Sequence, residues 1–229
     1  MGTTRSAEEA KQNYIAVMGE PLGSLFHALW QEVAWLHRKW DEYVELYGTK
    51  ASRVDLINQA APAFFRIVQD LLWEETLLHI ARLTDSPKSA GKENLTIQRL
   101  SPLIIDVATA TTVKSLTEKA LDASQFCRDW RNRRIAHRDL SLALDQGALP
   151  LTPGSREKVK LALDAIVEVL NAVTRKYLES TSFFDMGGHP GGALSLIHVI
   201  DDGLRAEAER RERLQRSEVR PGDFGSRDL

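Results

Sequence analysis

Residues 22–47 read LGSLFHALWQEVAWLHRKWDEYVELY, and this stretch decides the fold class. Leu25, Leu29, Val33, Leu36, Trp40, Tyr43 and Tyr47 return every three or four residues, the period of one helix face. Gly48 follows at once and suits a left-handed helix end. Working outward, a short helix is expected over 6–18 and a second long one over 52–83. Pro62 lacks an amide hydrogen and disfavours helix at the residue before it, so a kink or a break is expected near Ala61. The polar run TDSPKSAGKEN at 84–94 reads as a loop, and 95–100 as a short helix. Ser101 is placed to cap a helix beginning at Pro102, of open length because Thr109–Thr112 forms helix poorly. Further helices are expected over 113–144, 155–179 and 193–216, with loops at 147–154 and at the GGHPGG stretch. Alternating β-branched patterns are scarce. The reading is an all-α, antiparallel helical bundle with additional helices. Its parts are an N-terminal extension (1–19), the bundle (20–182), a glycine-rich turn with a C-terminal helix (183–216), and a mobile tail (217–229).

Composition narrows the function. The 229 residues carry 30 Lys plus Arg against 32 Asp plus Glu, which excludes a broad basic coat for nucleic acid but not a local one. With one cysteine, Cys127, no internal disulfide and no cysteine-held metal cluster can form. The first residues lack the apolar run of a signal peptide, and no stretch has the length and apolarity of a membrane span. A cytoplasmic protein without membrane contact is expected. Trp30, Trp35, Trp40, Trp73 and Trp130 are expected to pack in the core or at an interface.

The basic residues cluster. Arg128, Arg131, Arg133, Arg134 and Arg138 fall within eleven positions around His137. On a helix Arg133 and Arg134 share the side of His137, while Arg131 lies roughly 9 Å along the axis and around the curve. Two copies facing each other could combine such groups. The chemistry this suits is phosphoryl transfer on RNA: histidine moves protons, arginine holds phosphate, and asparagine orients either. A solvated arginine face with a structural histidine gives the same pattern, and spacing alone leaves both open. His79, Arg82 and Asp85 stand at three-residue intervals and either line the same cleft or pair among themselves at a helix end. Glu75 and His79 make half of a di-metal pattern whose other half is missing, so no metal or other cofactor is expected. Lys88 and Lys92 are candidates for RNA-backbone contact or plain surface.

Arg131-Asn132 followed by four residues and His137 resembles the Arg-x(4–6)-His motif of the HEPN superfamily. Trp73-Glu74, His79, Arg82-Leu83-Thr84-Asp85 and GKENLT at 91–96 resemble its AbiU2-like subfamily, named for abortive-infection phage defence. The resemblance covers about 20–180. It implies a homodimeric helical bundle, and in many members a metal-independent endoribonuclease with a cleft shared between subunits. Arg131 would then stabilise the phosphate, Asn132 orient it, and His137 act as acid and base. Arg133, Arg134, Arg138, His79, Arg82 and Asp85 would serve substrate binding. The resemblance equally implies a non-catalytic module that binds RNA, a protein partner or an antitoxin.

Overall fold

A computed structural model describes residues 6–145, 147–184 and 190–223. The chain divides into two compact units: the described parts of 1–40 with 71–186, and of 41–70 with 187–229. The fold is an all-α helical bundle, with one two-residue strand pair among the described residues.

In the first unit, helix α1 (Ala7–Met18) opens with a reciprocal cap. The Ser6 hydroxyl accepts from the Glu9 amide, and the Glu9 carboxylate accepts from the Ser6 amide at 2.7 Å. Gly19 (φ +82°) turns the chain into α2 (Glu20–Tyr47). The two helices approach so closely that a Cβ on Gly23 would lie 2.6 Å from the backbone of Tyr14 and Ile15. The buried stripe of α2 is Leu22, Phe26, Leu29, Val33, Leu36 and Trp40. It is set one residue off the expected start at Leu25, which is only half-buried. Trp35 corrects the expectation that it packs: it is 57% exposed, because it points away from that stripe.

The core is completed by the end of α4 (Pro62–Leu83), by α5 (Val107–Ala123) and by α8 (Arg156–Leu178). Leu77, Ile80, Val113, Ala120, Leu163, Ile166 and Leu170 are all buried there. The α5 helix starts at a point that helix propensity hides. Asp106 caps it, accepting from the Thr109 amide (2.9 Å) and hydroxyl (2.6 Å). Thr111 and Thr112 return their hydroxyls to the carbonyls of Val107 and Ala108. The segment before it holds two three-residue 3-10 turns, Ile97–Arg99 and Ser101–Leu103, in place of the expected helices. The 84–94 loop contains a hairpin, β1 (Lys88–Ser89) against β2 (Lys92–Glu93). Its turn residues Ala90 and Gly91 both have positive φ, as tight hairpins require.

The expected helix over 113–144 is not one helix. After α5 the chain bends at Ser124, whose hydroxyl donates into the Leu121 carbonyl and meets the Thr84 hydroxyl at 3.1 Å. Then come α6 (Gln125–Trp130) and a π-type turn, Arg131–Ile135. A bend follows, and then the single turn α7 (Leu140–Ala143), capped by Asp139. Side chains competing for backbone groups at Ser124 and Asp139 break a run that apolar spacing alone joins.

The second unit takes the last turns of α2, helix α3 (Ala51–Ala60), the first turns of α4, and α9 (Ala193–Gln215). The break at Pro62 is present: Ala61 (φ −159°, ψ 73°) leaves the helical conformation and Pro62 opens α4. Tyr47 donates its hydroxyl to the Phe65 carbonyl at 2.7 Å. The α9 N-terminus has no cap of its own, since Gly192 has no side chain. Glu42 supplies one from α2, accepting the Ala193 amide at 2.5 Å. Beyond Ile197 no described residue of α9 is buried. Among the described residues no helix is long and apolar enough to cross a membrane. His189, within the GGHPGG stretch, and the last six residues of the tail lie outside the described residues.

Candidate functional site

The end of α4 and the face of α2 beside it carry a charged network inside the first unit. Glu32 and Lys39 stand seven apart on α2, at the margin of its apolar stripe, and both reach α4. Lys39 donates to Glu75 at 2.7 Å and to His79 Nδ1 at 2.9 Å. An ammonium has only hydrogens to give, so Nδ1 is the acceptor and the imidazole hydrogen sits on Nε2. That Nε2 lies 2.7 Å from Glu32 Oε2, but off the line of a well-directed hydrogen bond, and finds no aligned partner. His79 is 2% exposed. Burial first, then the Lys39 and Arg82 charges, lower its pKa to about 4 against the opposing pull of Glu32, so it is neutral. Burial alone would raise Glu75. The Lys39 hydrogen bond and the charges of Lys39 and Arg82 outweigh it and hold this carboxylate below its usual range. Glu75 also takes Arg82 at 3.0 Å. The half di-metal pattern is thus occupied by cations of the chain itself.

Beside this network lies a pocket of about 300 Å³ lined by Glu32, His79, Arg82, Leu83, Asp85, Asn94 and Leu95. Its walls are fixed from behind. Thr96 donates to the carbonyls of Leu83 (2.9 Å) and Asp85 (2.8 Å), and Gln98 to those of Thr84 and Asp85. The Asn94 amide group donates to Ser86 O and Ser89 Oγ, pinning the hairpin.

Asp85 connects this pocket to the arginine cluster. Arg131 donates to Asp85 Oδ2 at 2.6 Å and to Asn132 Oδ1 at 3.0 Å. Both members of the pair are about three-quarters buried, so the charges attract more strongly than on an open surface. Asn132 is exposed. The Ala136 amide reaches back to the Arg131 carbonyl at 2.8 Å, closing the π-type turn, and the chain then leaves the helix. His137 therefore stands on a non-helical bend, exposed, with no hydrogen-bond or ion-pair partner among the described residues.

The remaining arginines do not join the pocket lining. Arg133 holds the 147–154 loop through the Leu149 and Pro150 carbonyls and pairs with Asp129 (3.5 Å) and Asp139 (3.7 Å). Arg134 bonds Glu74 at 3.0 Å and lies over the Trp130 ring. Arg128 donates to the Thr84 carbonyl at 3.1 Å. Arg138 is exposed and has no partner among the described residues. Trp130 donates to the Thr152 carbonyl and meets Trp73 edge to face. The structure thus gathers His79, Arg82, Asp85 and Arg131, and leaves Arg133 and Arg134 as struts. Sequence reasoning missed Glu32, Lys39 and Asn94. The signal for the first two was a pair of charges flanking an apolar stripe, seven residues apart.

A family model described as AbiU2, of the HEPN class, matches residues 19–190. The chain belongs to the AbiU2 HEPN family. The matched span holds every candidate residue from Glu32 to Arg138. No curated protein and no solved structure matches the chain.

Proposed function

We propose that this AbiU2-family chain is a metal-independent endoribonuclease that acts as a homodimer. The observation that carries the reading is the pairing of Arg131 with Asp85 beside a pocket, with His137 exposed and unengaged just beyond the π-type turn. In this reading the His137 imidazole takes the ribose 2′-hydroxyl proton as O2′ bonds to phosphorus. It delivers a proton to O5′ as the P–O5′ bond breaks. Arg131 offsets the charge that builds on the phosphoryl oxygens, Asn132 orients them, and Arg138 holds a neighbouring phosphate. Asp85 keeps the Arg131 guanidinium in place. The products are a 2′,3′-cyclic phosphate and a 5′-hydroxyl. A second subunit contributes the same groups to a shared cleft, in the cytoplasm, as part of phage defence or a toxin–antitoxin pair.

One observation favours a second reading, a non-catalytic module binding RNA or a protein partner such as an antitoxin. Arg128, Arg133 and Arg134 are committed to partners within the chain and act there as structural struts. The test is cleavage of mixed-sequence RNA by the purified protein in excess chelator, beside His137→Ala. Cleavage that persists in chelator and falls at least about 100-fold in the variant supports the nuclease. RNA binding without cleavage in both supports the module.

A further inference from the structure

We infer that the pocket between α2, the end of α4 and the segment after the hairpin is a subsite for a guanine base of single-stranded RNA. The inference rests on the ribonuclease reading for its RNA and on the pocket for its base. A volume of about 300 Å³ is at the small end for ligand sites, suited to one base and too small for a run of nucleotides. Leu83 and Leu95 give it apolar walls.

The uncommitted polar atoms specify the edge. Glu32 turns Oε2 to His79, while its Oε1 has no partner among the described residues. Asp85 gives Oδ2 to Arg131 and keeps Oδ1 uncommitted. Asn94 spends its amide hydrogens on Ser86 and Ser89 and retains its carbonyl oxygen. Arg82 gives Nη2 to Glu75 and has its other N–H groups left over. The pocket is therefore rich in acceptors and holds one guanidinium. Guanine carries two neighbouring donors, N1–H and the N2 amino group, beside the acceptors O6 and N7. Two carboxylates meet the donors and Arg82 meets the acceptors. Adenine, cytosine and uracil each bring fewer adjacent donors and would leave a carboxylate facing an acceptor, which disfavours them. His79, buried and neutral, brings Nε2 within 2.7 Å of Glu32 Oε2 and borders the pocket there. Glu32 and Arg82 remain about half exposed, so the mouth is open to an unstacked base.

The experiment titrates the full chain with the 5′-monophosphates of guanosine, adenosine, cytidine and uridine by calorimetry, and maps cleavage positions on mixed-sequence RNA. GMP is expected to bind at least tenfold tighter than the other three. Glu32→Gln removes that margin, and Leu95→Trp, which fills the pocket without touching a charge, removes GMP binding. His137→Ala retains GMP binding. Equal binding of all four, tighter binding of CMP, or GMP binding that survives both pocket variants overturns the inference. Cleavage in chelator without a guanine beside the cut also overturns it and leaves the nuclease reading standing. GMP-selective binding without RNA cleavage supports the pocket and sinks the nuclease.

Discussion

Acid should weaken this protein through His79 before it protonates the carboxylates. The imidazole is buried and neutral, with a pKa lowered to about 4 from the ordinary 6.5. The unfolded chain binds a proton there through a range in which the folded chain does not. Stability is therefore full above the ordinary value and declines as pH falls toward 4. Between pH 7 and pH 4.5 the difference amounts to about 2 kcal/mol at 1.36 kcal/mol per unit. Burial sets most of the shift, the Lys39 charge from α2 and the Arg82 charge from α4 add to it, and Glu32 opposes it. Urea unfolding at the two pH values, followed by tryptophan fluorescence, measures it. His79→Gln keeps a polar group between Lys39 and Glu32 but cannot titrate. The wild type is expected to lose about 2 kcal/mol more than this variant over the same pH step. Equal losses would refute the buried neutral histidine, because Glu75 and the other carboxylates are common to both proteins.

Gly23→Ala should lower stability despite adding a better helix former, because the new Cβ would sit 2.6 Å from the α1 backbone. Overpacking at about 1–3 kcal/mol outweighs a propensity gain of about 1 kcal/mol, and the thermal midpoint should fall by a few degrees. A rise would mean that α1 yields freely. In the ribonuclease reading Asp85→Asn should reduce kcat at least tenfold by releasing Arg131 and raise KM by weakening the base subsite, and Asp85→Glu should restore part of the kcat. A loss confined to stability would give Asp85 a structural role alone.

The helical class and most helix limits were legible because long apolar stripes dominate α2 and α8. Pro62 marked the interruption but not its kind, a kink or the break that is present. The region after Thr84 was harder because its structure is set by side-chain bonds between distant residues. Thr96 ties down Leu83 and Asp85 across more than ten positions, and Asp106 overrides the threonines behind it. Ser124 and Asp139 interrupt a helix that periodicity joins. The motif around Arg131 was legible as a motif, and the place of Asp85 near it was anticipated as one of two alternatives. Glu32 and Lys39 were not seen, since a charge beside an apolar stripe is ordinary until its partner on another helix is known.

The π-type turn changes what the spacing between Arg131 and His137 means. Were both on one α-helix, each inserted residue would swing the histidine by about 100° and carry it to another face. Here Asn132 to Ile135 lie in the π-type turn and the chain leaves the helix at Ala136, so His137 follows a widened turn and a bend and not a regular α-helical step. The arginine is anchored by its carboxylate, and the histidine stands exposed just past the end of the turn.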